Sequence, residues 1–127
     1  MIDHLSVGVS NLARAGVFYD AVLASLGYAR VLTHERALGY GPPGAKDEVF
    51  AVLAVTEPGT LPGRGSHVAF RAPNRDAVDA FHAIALAHGG ADEGAPGPRP
   101  KYGPGYYAAF VRDPDGHRVE AVVHEAV

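Results

Sequence analysis

The feature of this sequence that most constrains its fold is an internal repeat at an offset of 63 residues. Residues that match in type at this offset include His4 and His67, Asn11 and Asn74, Phe18 and Phe81, and Gly27 and Gly90. A chain of 127 residues that repeats once in this way consists of two similar halves. Each half is too small to bury its own sheet, so we expect the halves to pair side by side.

Each half opens with the pattern of a strand followed by a helix. Side chains alternate between apolar and polar or small over residues 2–9 and again over 66–72, which is typical of half-buried strands. Asn11 (or Ser10) and Asn74 can cap the helices that follow, because their side-chain oxygens accept hydrogen bonds from free helix N–H groups. Apolar residues then recur at helical spacing in both halves.

Extended segments separated by turns follow each helix. Strands are predicted near residues 28–34, 36–41 and 48–56 in the first half, and near 106–112 and 117–124 in the second. Residues 91–105 are rich in Gly and Pro, so any strand there should be short and irregular. We therefore expect one domain over residues 1–127, built from modules of approximately 1–57 and 64–127 that a Pro- and Gly-rich linker joins.

The composition excludes several classes of function. The chain has 11 Lys and Arg against 14 Asp and Glu, a net charge of −3, so we expect no nucleic-acid partner. It has no Cys, which excludes disulfides, thiolate nucleophiles and Cys-based zinc sites. No apolar run approaches the roughly 20 residues of a membrane span, and no targeting segment is visible, so we expect a cytoplasmic protein without a membrane partner.

Four short segments resemble the vicinal oxygen chelate superfamily, which includes glyoxalase I, fosfomycin-resistance enzymes, extradiol dioxygenases and bleomycin-resistance proteins. They are Asp-His-Leu at 3–5, Phe-Tyr at 18–19, Ser-His-Val-Ala-Phe at 66–70 and Asp-Pro-Asp-Gly-His-Arg-Val-Glu at 113–120. The resemblance implies an α+β fold in which two paired βαβββ modules form a curled mixed-sheet cleft. It also implies a divalent metal in that cleft and a small-molecule substrate.

The resemblance implies His4, His67 and Glu120 as metal ligands, with Glu120 also the catalytic residue. In glyoxalase I a fourth ligand, a carboxylate, lies on the last strand of the first module, but the corresponding residues 49–55 are all apolar here. Glu57 precedes Glu120 by 63 residues, yet it lies where the linker begins. We therefore expect two His and one carboxylate, with coordination positions left open for substrate.

The chemistry of the residues agrees with this set of ligands. Strand alternation directs His4 and His67 away from the helices, and Glu120 in an apolar strand needs a metal or a hydrogen-bond partner. Imidazole and carboxylate ligands suit Zn, Ni, Mn or Fe. Four other histidines lack repeat support and are expected on the surface or on helix faces: His34, His82, His88 and His117.

A loop rich in Gly, Pro and Tyr precedes one of the last strands and supplies candidates for substrate binding. In related enzymes the equivalent loop covers the cleft and contacts substrate. Aromatic faces combined with cations suit a planar or anionic ligand. The candidates are Lys101, Tyr102, Tyr106 and Phe110.

Two functions fit these observations. One is a metal-dependent enzyme, a lyase, thiol transferase or dioxygenase that acts on a small oxygen-chelating substrate. The other is a metal-free protein that binds or sequesters a small molecule, as bleomycin-resistance proteins do. In either case we expect a homodimer, because strand 49–55 is apolar on both faces and one face needs a cover.

Overall fold

The computed structural model describes residues 1–56 and 65–126 and contains two modules of the same design. The first module consists of β1 (Leu5–Val9), α1 (Leu12–Ala24), β2 (Ala29–His34), β3 (Ala37–Gly41) and β4 (Phe50–Ala54). The second consists of β5 (Val68–Arg71), α2 (Arg75–Ala87), β6 (Ala91–Pro98), a 3₁₀ turn (Pro100–Tyr102), β7 (Tyr106–Arg112) and β8 (Arg118–His124). The predicted α+β fold with a repeated βαβββ order is confirmed.

Each module has one four-stranded mixed sheet. The strand orders are β1-β4-β3-β2 and β5-β8-β7-β6, so the first strand of each module lies at an edge of its sheet. That first strand runs parallel to the last strand, with Leu5 opposite Phe50 in one module and Val68 opposite Val119 in the other. The remaining pairs are antiparallel.

The two helices keep the repeat offset and are capped as the sequence predicts. The Asn11 side chain accepts a hydrogen bond from the Arg14 N–H, and Asn74 accepts one from the Ala77 N–H, both at 2.9 Å. Gly27 follows α1 with a φ of 91°, a left-handed conformation that favours glycine. These local signals fix where each helix starts and where the chain turns back to its sheet.

One hydrophobic core joins the two modules. Phe18, Tyr19 and Val22 of α1 are buried in the same cluster as Val78 and Phe81 of α2, together with the helix-facing residues of both sheets. The Phe50 and Phe70 rings, one from each sheet, meet edge to face with centroids 5.0 Å apart. The halves therefore share a core, as their small size predicts.

Three strands differ from the sequence prediction. β1 begins at Leu5 and β5 at Val68, so His4 and His67 each immediately precede the strand in which they were expected. β6 is eight residues long, although its pairing with β7 shifts register on both sides of Gly94. A Pro-containing strand can reach this length because β6 lies at a sheet edge, where not every N–H needs a partner. The linker and Glu57 lie outside the described residues.

The Asp-Pro-Asp-Gly turn at 113–116 fastens the second module to the first. Asp113 Oδ1 accepts the N–H groups of Asp115 and His117, each at 2.9 Å, and Gly116 has a φ of 92°. Asp115 Oδ1 in turn accepts the Ser10 N–H at 3.0 Å and its hydroxyl at 2.6 Å. The turn is therefore stabilised by its own hydrogen bonds, and it also binds Ser10, the residue that follows β1.

The prediction that His117 lies on the surface or on a helix face is wrong. Its side chain is buried, and Nε2 lies 2.6 Å from the carbonyl oxygen of Gly8 in β1. The imidazole can be buried between the two modules because it gains that hydrogen bond. His34 and His88 are exposed, and His82 is half-buried on α2, where it bonds to Asp92 at 2.8 Å.

Candidate functional site

The centre of the candidate site is the Glu120 carboxylate on β8. Glu120 is only 1% exposed and lies between apolar neighbours, so both of its oxygens need partners. Oε2 accepts a hydrogen bond from the Tyr106 hydroxyl at 2.5 Å. Burial and this hydrogen bond raise the pKa of Tyr106 to about 12, so the phenol remains a donor at neutral pH. The carboxylate is thereby held in one orientation from one side.

His67 lies against the other oxygen of Glu120. Its Nε2 is 3.2 Å from Glu120 Oε1. The parallel pairing of β5 with β8 produces this contact, since it places Ala69 opposite Glu120 and His67 just before the strand. Two donors of a tetrahedral zinc site are about 3.3 Å apart when each bond is about 2.0 Å long. The separation of these two atoms therefore fits one divalent metal bound by both.

His4 occupies the matching position before β1, but its surroundings differ. Its side chain is exposed, and Nδ1 bonds to Asp3 Oδ1 at 2.6 Å, which raises the pKa of the imidazole. Within residues 1–56 and 65–126, no three His, Asp or Glu side chains of this chain form a group that could hold a metal. One chain thus brings His67 and Glu120 together without His4.

A cavity of about 430 Å³ opens on the His67 and Glu120 pair. Three of the four residues predicted to bind substrate line it: Tyr102, Tyr106 and Phe110. The fourth, Lys101, lines an adjoining cavity of about 410 Å³ that shares Tyr102 and Phe110 with the first. All four predicted side chains therefore border the same continuous region of the surface.

Arg118 is a site residue that the sequence analysis missed. It lines the cavity two residues before Glu120 and lies directly opposite Arg112 in the pairing of β7 with β8. Glu93 forms an ion pair with Arg112 at 2.7 Å, whereas Arg118 has no ion pair with any described residue. Like charges on facing strands are unfavourable. Strand alternation alone places Arg118 on the face of Glu120, so the signal was present in the sequence.

The first module has no acidic counterpart of Glu120. In the second module Glu120 faces Ala69 on one side and Phe110 on the other. The register puts Ala51 in the corresponding position of the first module, between Ser6 and Gly39. The first module therefore has an alanine at the position where β8 has its carboxylate.

The sequence-family model of the Glyoxalase/Bleomycin resistance protein/Dioxygenase superfamily matches residues 1–121 of this chain. The chain belongs to this superfamily. A search of curated proteins found no match. In the part of the chain that the structure describes, no helix is both long and apolar enough to cross a membrane.

Solved structures of superfamily proteins resemble this member over nearly its whole length. A glyoxalase/bleomycin resistance protein from Albidiferax ferrireducens has 34% sequence identity and a TM-score of 0.81, covering 94% of this chain and 95% of the other. A putative glyoxalase from Bacillus halodurans has 25% identity and a TM-score of 0.72, covering 96% and 94%.

The fold is also similar to that of a fosfomycin resistance protein. A mutant of FosX from Listeria monocytogenes, in complex with Mn(II) and 1S,2S-dihydroxypropylphosphonic acid, has 15% identity and a TM-score of 0.67. The match covers 95% of this chain and 87% of the other. At this identity the likeness is one of fold.

Proposed function

We propose that this superfamily member is a divalent-metal-dependent enzyme that acts on a small substrate with two neighbouring oxygen atoms. The observation that carries the proposal is the 3.2 Å separation of His67 Nε2 from the buried Glu120 carboxylate, next to a cavity of about 430 Å³. Lyase, thiol transferase and dioxygenase activities remain the candidate reactions. The Mn(II) in the complex of FosX supports a metal in this fold.

The residues around Glu120 have distinct roles in this proposal. His67 and Glu120 would hold the metal, and the Tyr106 hydroxyl would fix the second carboxylate oxygen. A divalent metal bound there would act as a Lewis acid toward oxygen atoms of the substrate. Tyr102 and Phe110 offer flat apolar surfaces beside it, and Arg118 offers a positive charge.

A second copy of the chain would supply the third ligand, His4. The face of β4 that points away from α1 carries Leu53, which is 41% exposed, and next to the strand lie the exposed Val49 and Val55. Such a face on a monomer marks a contact surface. A symmetric homodimer that covers this face would bring the first module of one copy to the second module of the other. His4 would then meet His67 and Glu120 across the interface.

Metal titration tests this proposal. Mn(II) binding to the purified protein, measured by calorimetry after treatment with a chelator, should be lost in His67→Ala and in Glu120→Gln. His67 is half-exposed, so His67→Ala should retain the wild-type fold by circular dichroism. His34→Ala is the matched control, because His34 is exposed on β2 and should leave Mn(II) binding unchanged. Equal Mn(II) affinity in the wild type and both site variants would contradict the proposal.

A metal-free binding protein is the second candidate function. It is favoured by the hydrogen bond of Tyr106 and the contact of His67 with Glu120, since together they provide partners for both carboxylate oxygens without a metal. In that case elemental analysis of protein purified without chelators would find no bound metal. Ligand binding would also be the same with and without EDTA.

A further inference from the structure

A second cavity lies between the two modules and has no role in the function proposed above. It has a volume of about 370 Å³. Leu5, Tyr28 and Phe50 line it from the first module, and Val68 and Phe70 line it from the second. We call it the inter-module pocket.

The walls of the inter-module pocket are mainly apolar. Arg71 belongs to β5, which lies at the edge of its sheet. Its carbonyl oxygen accepts a hydrogen bond from the Tyr28 hydroxyl at 3.0 Å, so this polar group beside the pocket already has a partner. Ile2, Leu5 and Val49 line the pocket and remain exposed to solvent. Exposed apolar side chains around a concavity are typical of a ligand groove. A cavity of about 150 Å³ already holds benzene, so this pocket has room for an aromatic ring or a longer alkyl group.

The inter-module pocket adjoins the candidate metal site through His67. His67 lines this pocket and also the cavity that contains Glu120. A molecule that places its oxygen atoms at His67 and Glu120 can therefore extend past His67 into an apolar space. We propose that the inter-module pocket binds the aromatic or alkyl end of the substrate, so that the substrate class is an oxygen-chelating head group with an apolar tail. This inference rests on the proposed function for its head group only.

Two hydroxamates that differ in their tails test the proposal. Calorimetry on the Mn(II)-loaded protein compares acetohydroxamate, which has only a methyl tail, with phenylacetohydroxamate. Each buried methylene strengthens binding by up to about fourfold, so we expect phenylacetohydroxamate to bind at least about tenfold more tightly. Equal affinities of the two compounds would overturn the proposal.

A variant that fills the pocket locates the effect. Val49→Trp places an indole at the pocket and should remove the preference for phenylacetohydroxamate over acetohydroxamate. Because Val49 also lies on the face proposed for the dimer contact, the measured quantity is the ratio of the two affinities within the same variant. Val17→Trp is the matched control, because Val17 is exposed on α1 and does not line this pocket. If Val49→Trp binds phenylacetohydroxamate as tightly as the wild type, the tail lies elsewhere and the proposal is wrong.

A metal-free measurement separates this proposal from the proposed function. Phenylacetamide carries the same tail without a chelating group, and it should shift the NMR signals of Leu5, Val68 and Phe70 in the metal-free wild type but not in Val49→Trp. Such shifts without any Mn(II) or hydroxamate binding would support the pocket and contradict the metal enzyme. Signals that move only with protein concentration would show that a second copy fills the pocket, which would overturn the proposal.

Discussion

The two modules have the same strand order and the same helix positions. The faces of their sheets that point away from the helices, here called the inner faces, nevertheless differ in chemistry. At three matched positions the first module has Ser6, Ala51 and Gly39. The second has Ala69, Glu120 and Phe110. The repeat therefore provides a scaffold twice, while the buried acid and the ring beside it occur once. The candidate site therefore rests on the asymmetry between the two modules.

The difference extends to how each inner face meets solvent. In the second module Tyr106 and His67 contact the buried carboxylate, so polar groups are satisfied within the module. In the first module small residues line the sheet, and the apolar side chain of Leu53 on the same face remains exposed. One face is suited to binding a ligand and the other to being covered by a partner.

The largest expected effect concerns the apolar face of the first module. Leu53→Asp places a charge on the surface that we propose to lie in the dimer interface, and such a change strongly weakens association. We expect light scattering at micromolar concentration to change from twice 13.2 kDa to the monomer mass. Leu86→Asp is the control, because Leu86 is similarly exposed on α2. A wild-type protein with the monomer mass would contradict the dimer itself.

The next effect concerns the position that corresponds to Glu120. Ala51→Glu buries a carboxylate in the first module, where its strand neighbours Ser6 and Gly39 offer no counterpart of the Tyr106 phenol. We expect the free energy of unfolding to fall by about 2 kcal/mol or more, measured by urea denaturation. Ala51→Val tests size without charge and should be less destabilising. Equal losses in the two variants would show that volume, and not charge, distinguishes the faces.

A smaller effect concerns the hydrogen bond that orients Glu120. Tyr106→Phe removes the donor to Oε2 and keeps the ring, so the carboxylate loses its fixed orientation. Loss of such an outer partner typically lowers metal affinity by about tenfold or more. Calorimetry with Mn(II) measures this change. Tyr102→Phe serves as the control, since Tyr102 is 56% exposed and its hydroxyl bonds to no described residue. Unchanged Mn(II) affinity in Tyr106→Phe would show that this hydroxyl does not support metal binding.

Much of the fold could be predicted because its signals are local. Asn11 and Asn74 cap the helices through their own following turn, and the Asp113–Gly116 turn is held by bonds within a few residues. The burial of His117 could not be predicted in this way, because its partner is the carbonyl of Gly8 in the other module. The length of β6 depends on its edge position, which the sheet order determines.

Part of the candidate site could be predicted from the expected order of the strands. The pairing of His67 with Glu120 agrees with their strand positions, since both lie beside the parallel pair of β5 and β8. The repeat offset could not give the counterpart of Glu120, because the modules differ in length between helix and last strand, which makes it Ala51. The position of His4 relative to Glu120 would be set by the interface of the proposed homodimer. The sequence of one chain does not specify that interface.

Mixing two defective variants tests most directly whether the site is shared between copies. His4→Ala and Glu120→Gln, each unable to bind Mn(II) alone, are unfolded together and refolded as an equal mixture. If the site combines His4 of one copy with His67 and Glu120 of the other, about a quarter of the wild-type Mn(II) content should return, because half of the randomly formed dimers are mixed and each has one intact site. A mixture that binds no Mn(II) would contradict a site shared between copies.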